Sequence, residues 1–355
     1  MTSRMLSYPA KKELNRIQPL RIKGEKMLKS RITRRTFFKN TVLAASTLAV
    51  PRLARAQQNY PNRPIRFILP FAAGGVADVT ARVVADKLGE KLGQRVVVEN
   101  QPGPGGFAAG RAIATAAPDG YTLGLLTNGT AVSAAIYKSL PYDPVKDFAT
   151  ISALGNFDLV FATNAESEYR TLGDVLKAAR EQPGKLNIGT IAVGSTQHLG
   201  AELLKSLAGV NIQIVPYRAT PEVIVALLRN DVQLMTDFYA AMRSQLMEKK
   251  IRGVGTSSLA RTAFLPDVPP VAEAVPGYEV ASWNGLCAPT GTPPEIVNSL
   301  NKTIREILVI PEVKTKFAEF GIEARASSPE ELKARLQSEI KKWSDLIERA
   351  QIPKL

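Results

Sequence analysis

Two α/β lobes, each built on a mostly parallel sheet and joined by a pair of crossing strands, are the architecture this sequence predicts. Three observations carry that expectation. From Ile65 onward, short apolar strands alternate with helical periods; the alternation recurs after Thr171; and two β-prone stretches without helical period, 150–163 and 278–288, stand at its borders.

The first run places strands at 65–70, 96–99 and 122–127, with helices at 78–92 and 108–116 between them. After the first crossing stretch come a helix at 171–180, strands at 186–190, 212–216, 232–237 and 251–256, and helices at 195–207 and 221–229. The C-terminal part reads as helices at 294–308, 312–320 and 329–350, the last with Ser328 as N-cap and Pro329 at the first helical position. These helices are expected to pack back on the first lobe. In this partition residues 57–155 and 283–355 form lobe one, and 156–282 form lobe two.

Residues 1–56 are set apart by charge. They hold 14 of the 46 Lys/Arg and 2 of the 32 Asp/Glu, so the remaining chain has 32 basic against 30 acidic residues and +12 of the formal +14 belongs to the leader. A mixed-charge surface excludes a nucleic-acid partner. The leader itself reads as an export signal: Arg34-Arg35 with Phe37 and Lys39, a weakly apolar run from Thr41 to Val50, and Ala54-Arg55-Ala56. Cleavage is expected after Ala56, by a twin-arginine route, into the periplasm. Residues 1–26 lie upstream of that signal, and Met27 reads as an alternative start. The apolar run of about ten residues falls short of the roughly 20 a membrane span needs.

One cysteine, Cys287, excludes an intrachain disulfide, and it lies too far from the cleavage site to carry a lipid there. With a single histidine besides, a soft-metal site is not expected, nor is a cofactor. Stability has to come from buried apolar area over a length that suits two domains.

In open α/β sheets, ligands sit beyond the carboxyl ends of strands, where helix N-termini offer unpaired N–H groups to anions. Four segments have that placement. Phe71, Gly74, Gly75 and Asp78 lie in a glycine-containing turn from strand to helix, which a plain tight turn explains equally well. Thr127, Asn128, Gly129 and Thr130 end the third strand. Thr190 closes a strand ahead of Ser195, Thr196 and His198, where the hydroxyls either cap the next helix or hold a carboxylate oxygen. Asp237 and Phe238 end a strand in the second lobe.

Two enzymatic readings are weaker. Gly103-Pro104-Gly105-Gly106-Phe107-Ala108 formally fits a dinucleotide fingerprint, but a proline occupies the phosphate loop and the motif follows the second strand instead of the first. Ser195, His198 and Asp237 supply the residue types of a hydrolase triad, yet Ser195 lacks the G-x-S-x-G elbow and stands only three residues from His198 on one helix. Trp283 either walls the cleft or fills hinge core, and Tyr217 with Arg218 stands where it could reach the far end of a ligand.

Several stretches together are specific. Pro70-Phe71-Ala72-Ala73-Gly74-Gly75, Val96-Val97-Val98-Glu99-Asn100-Gln101-Pro102-Gly103, Ala117-Pro118-Asp119-Gly120-Tyr121, Leu140-Pro141-Tyr142-Asp143-Pro144, Gly194-Ser195-Thr196-Gln197-His198 and Leu265-Pro266-Asp267-Val268-Pro269 occur in this order. From about Tyr60 onward the chain resembles the tripartite tricarboxylate transporter receptors, also called the Bug family. The resemblance implies a type II periplasmic-binding-protein fold, a receptor without catalytic residues, and a monomer that delivers a di-, tri- or aromatic carboxylate to membrane permease subunits. It further implies a carboxylate held by backbone N–H groups near the first and third of the four segments, with Asp237 in the fourth. A sensory receptor for a membrane kinase is the alternative partner role.

The chain departs from the family pattern at four places. Ala73, Val76 and Ala77 stand where Pro, Gly and Thr are common, and Phe238 where Asn is. Losing a hydroxyl and an amide while gaining a ring makes the pocket less polar and favours a monocarboxylate or aromatic carboxylate over citrate.

Overall fold

The computed structural model describes residues 60–355; the expected export signal and its cleavage after Ala56 lie outside the described residues. The chain enters on strand β1 (Ile65–Leu69), which pairs in parallel with β2 (Val96–Asn100) and β3 (Thr122–Thr127). Helices α1 (Val76–Leu92), α2 (Phe107–Ala114) and α3 (Asn128–Ile136) follow the three strands in turn. Phe67 and Leu69 of β1 are fully buried against Ala81, Val84 and Leu88 of α1, while Ile68 faces the opposite layer with Ala131 and Val132 of α3. Burial on both faces is why β1 reads as a continuous apolar run and not an alternating one.

The long strand β4 (Phe148–Asn164) then leads into a second α/β run. It comprises α4 (Leu172–Glu181), β5 (Asn187–Ile191), α5 (Thr196–Ala208), β6 (Gln213–Tyr217), α6 (Thr220–Leu228), β7 (Leu234–Phe238), α7 (Tyr239–Met247), β8 (Ile251–Thr256) and the short α8 (Val271–Ala274). Strand β9 (Ala281–Pro289) returns to the first sheet, followed by α9 (Pro294–Leu308), α10 (Pro311–Ala318), β10 (Ile322–Ala324) and α11 (Pro329–Arg349).

The strand order is β2-β1-β3-β9-β4-β7-β5-β6, with β8 and β10 also paired to β4. Two parallel trios therefore flank an antiparallel centre, and β4 belongs to both sides. Its first part pairs with β9 from Phe148↔Pro289 to Asp158↔Ala281; from Leu159 on it pairs with β7 and β8 instead. Register shifts at Thr150/Ser152, Ala153/Gly155 and Phe161/Ala162 bend it along the way. The return crossing differs from expectation: Tyr278 to Val280 is not strand, and the ladder starts at Ala281. Ser257 ties this segment in place, its hydroxyl accepting the Leu159 N–H and donating to the Val280 carbonyl.

The C-terminal helices pack on the first half, as the sequence predicts. Leu300, Ile304 and Phe317 share a core with β1, while Leu332, Leu336 and Trp343 of α11 join that of α3. A capping box starts α11: the Ser328 hydroxyl accepts the Glu331 N–H at 3.1 Å and Glu331 accepts the Ser328 N–H at 2.7 Å. Helices α7 and α8 and strand β10 are not visible in the sequence pattern. The N-cap of α7 is Phe238, which makes no side-chain cap bond, and α8 and β10 are only four and three residues long.

Candidate functional site

Three helices, α1, α3 and α5, begin at the carboxyl ends of strands around one cavity of about 620 Å³. The first-turn N–H groups of a helix have no partner inside it, and the helix dipole adds partial positive charge at the same end. Hydroxyls reinforce two of these ends. Thr127 Oγ1 accepts the Thr130 N–H at 3.3 Å and Thr130 Oγ1 accepts the Thr127 N–H at 3.2 Å, which caps α3. Ser195 Oγ accepts the His198 N–H at 3.1 Å and caps α5; Thr196 Oγ1 accepts from Asn128 Nδ2 at 3.1 Å. In each case an oxygen lone pair is used and the O–H remains free to donate. Thr127, Thr130, Ser195 and Thr196 all line the cavity. Capping and anion binding are therefore not alternatives here, because the same hydroxyl can do both.

The first turn, from Phe71 to Gly75, is braced from behind. Gly74 takes φ +92°, a conformation that favours glycine, and donates its N–H to Asp78 Oδ2 at 2.9 Å. Arg82 Nε donates to the same oxygen, and Asn100 Nδ2 bridges Asp78 Oδ1 and the Phe71 carbonyl, each at 2.9 Å. Burial raises the Asp78 carboxyl, but Arg82, the Gly74 N–H and Asn100 outweigh it and hold the group below its ordinary value. Asp78 is thus a charged brace for the loop.

Of the residues the sequence singles out, Phe71, Gly75, Thr127, Gly129, Thr130, Ser195, Thr196 and Phe238 line the cavity; Gly74, Asp78, Asn128, Thr190, His198 and Asp237 do not. Asn128 is fully buried, with its amide fixed between Thr196 and the Trp343 indole N–H, so it joins α3 to both α5 and α11. Thr190 turns its hydroxyl to the Ile191 carbonyl. Asp237 is 2% exposed and accepts from Gln197 Nε2 at 2.8 Å, from the Thr220 hydroxyl and from the Phe238 N–H. Burial raises its carboxyl against the pull of those three donors. Its role is to tie β7 to α5 and α6 beneath the site. Trp283 is buried core and does not wall the cavity, with no exposure and the Arg335 guanidinium 5.3 Å from its ring. Tyr217 and Arg218 do not line the cavity.

Ser195, His198 and Asp237 form no triad. Ser195 Oγ meets the His198 backbone and not its ring, His198 Nδ1 is buried without a partner among the described residues, and Asp237 faces Gln197 and Thr220. Burial, with a smaller push from Lys205, lowers the His198 imidazole below its ordinary value.

The cavity also has a lining that the sequence reading did not single out. Gly103 to Gly106, which the sequence offers only as a weak dinucleotide fingerprint, borders it, as do Ser133, Tyr142, Phe157, Ser282 and Asn284. A Cβ on Gly110 would stand 2.1 Å from the Tyr142 ring, so glycine there is what lets α2 and the ring meet at the cavity wall. Phe238 packs edge-on against Phe157, centroids 4.9 Å apart. Among the described residues no Asp, Glu, Lys, Arg or His lines the cavity, and its surface is mostly aliphatic, aromatic or backbone, punctuated by hydroxyls and the amides of Gln197 and Asn284.

This geometry has known counterparts. Residues 80–352 match the model of the tripartite tricarboxylate transporter family receptor. The chain belongs to that family. Its members are periplasmic solute-binding receptors and not enzymes, as the resemblance implies. The receptor is 35% identical over 311 residues to the UPF0065 protein in the tcbD-tcbE intergenic region of Pseudomonas sp. (strain P51), covering 86% of this chain and 93% of that one. A solved R. palustris protein with adipate is 33% identical, with a TM-score of 0.75, and covers 83% of this chain and all of its own. MatC from Rhodopseudomonas palustris, with bound malate, is 31% identical with a TM-score of 0.71, covering 81% of this chain and 100% of its own.

Proposed function

We propose that this receptor captures a carboxylate with a largely apolar body and delivers it, as a monomer in the periplasm, to the membrane permease subunits of a tripartite tricarboxylate transporter. The observation that carries this reading is the convergence of three helix N-termini on a cavity lined, among the described residues, by no charged side chain. Helix ends and free hydroxyls suit one anionic group. A second or third carboxylate drawn into the same cavity would lose its hydration with no cation to pair with, a cost of several kcal/mol. Citrate is disfavoured on that ground. Phe157, Phe238 and Leu126 suit an apolar remainder, and Phe71 and Val193 keep 39% and 45% of their surface exposed while lining the cavity.

In this reading residues 57–155 with 283–355 and residues 156–282 act as two lobes that close on the ligand about β4 and the Tyr278–Val280 segment. Residues 1–56 serve as an N-terminal extension followed by the twin-arginine export signal, cut after Ala56. Adipate and malate in the related structures belong to those proteins; here they support a carboxylate and no particular one.

A thermal-shift panel tests the ligand class. Aryl and alkyl monocarboxylates at millimolar concentration should raise the melting temperature by several degrees and citrate should not. Citrate shifting it strongly with no response to apolar acids sinks the reading.

A further inference from the structure

The cavity lining holds a fully buried amide oxygen that has no hydrogen-bond partner among the described residues. Asn284 is 1% exposed, lines the cavity, and its Oδ1 has no hydrogen-bond partner. The orientation of its amide is not arbitrary. Thr80 Oγ1 donates to the Val76 carbonyl at 2.8 Å, so its one proton is committed and it can only accept from Asn284. Asn284 Nδ2 supplies that bond at 3.0 Å. The amide nitrogen is therefore held toward α1, and the oxygen is left as a fixed acceptor.

Its position relative to the helix ends follows from the ladder. Asn284 is the direct antiparallel partner of Thr127, the N-cap of α3, and such partners carry their side chains on one face with Cβ atoms about 5 Å apart. Thr80 places the same amide under the first turn of α1. A carboxylate received by these two helix ends would lie one or two bonds from whatever group meets Asn284. Ser282, two residues along β9 on the same face, also lines the cavity, and its hydroxyl makes no hydrogen bond among the described residues.

We infer that Asn284 is a specificity-determining residue, and that the receptor selects carboxylates bearing a hydroxyl or protonated amine next to the carboxylate over analogues without one. This rests on the carboxylate reading above and narrows it. A buried acceptor left unpaired by one ligand and paired by another discriminates strongly, because the penalty falls only on the ligand lacking the donor.

The test uses matched pairs on the purified protein by titration calorimetry: 3-phenylpropanoate against 3-phenyllactate in both enantiomers, and hexanoate against 2-hydroxyhexanoate. The hydroxy acid of a pair should bind at least about tenfold tighter, and in Asn284→Leu the two should come within about twofold of each other. Equal affinities in the unmodified protein overturn the inference whether or not the variant folds, and leave the carboxylate reading standing. A preference that persists in folded Asn284→Leu also overturns it. If no acid of either kind binds, and none of the wider panel does, the carboxylate reading falls and this inference with it.

Discussion

Replacing both Thr127 and Ser195 with alanine is expected to weaken carboxylate binding about 100-fold, while the protein stays folded. Each hydroxyl already accepts a backbone N–H, so each offers its proton to the ligand. A hydrogen bond to a charged group is worth about 1.5–3 kcal/mol, and two of them account for the loss. The same substitutions remove two helix caps, at about 1 kcal/mol of stability apiece. Affinity and stability are thus expected to fall together, but by separable amounts. Glycine at either position separates them, since it retains most of the cap and none of the O–H. Titration calorimetry on the alanine and glycine variants, with urea denaturation alongside, measures both. Affinity that stays within about twofold in the double variant would show that these two hydroxyls do not hold the carboxylate.

The second large effect concerns a residue that family resemblance places in the site. Asp237→Ala is expected to lower the unfolding free energy by about 3 kcal/mol, and to leave untouched the order in which ligands are preferred. Removal of the carboxylate strands Gln197 Nε2, the Thr220 hydroxyl and the Phe238 N–H, which now have no acceptor in a dry interior. Asp237→Asn should recover only part of the loss, because its NH₂ sets a donor against donors. Urea midpoints with unchanged slopes provide the measurement. A variant of native stability that no longer binds would return Asp237 to the ligand.

Much of this architecture is legible in the sequence because its physical signals are strong. Thr122–Thr127 is bounded as expected, and Pro294–Leu308 likewise, since an apolar run between turns and a proline at the first helical turn punctuate the chain clearly. The loops of the site are legible too, through glycines and hydroxyls at strand ends. What they do not tell is which way each side chain points. His198 and Asp237 lie within three residues of cavity-lining neighbours and yet face inward, because helix α5 turns about 100° per residue and β7 alternates its faces. Asn128 likewise leaves the cavity to Thr127 and Gly129 on either side of it. The converse failure is Asn284. Its signal was available, as Ser282, Asn284 and Leu286 alternate with Trp283 along β9, but a crossing strand is not where strand-end reasoning looks. Tyr142 and Gly103 reach the wall from loops far along the chain, and only the packed core reveals them.

The continuity of β4 has a bearing on how the receptor melts. A strand whose first stretch, Phe148 to Asp158, pairs with β9 and whose last six residues serve β7 and β8 cannot fray in one half without loosening the other. Helix α11 adds a second tie, through Trp343 and Asn128 to Thr196. A protein of two lobes commonly unfolds in two steps. This one should do so in a single cooperative transition, with calorimetric and van't Hoff enthalpies that agree; a resolved double peak would mean the shared strand does not couple the halves.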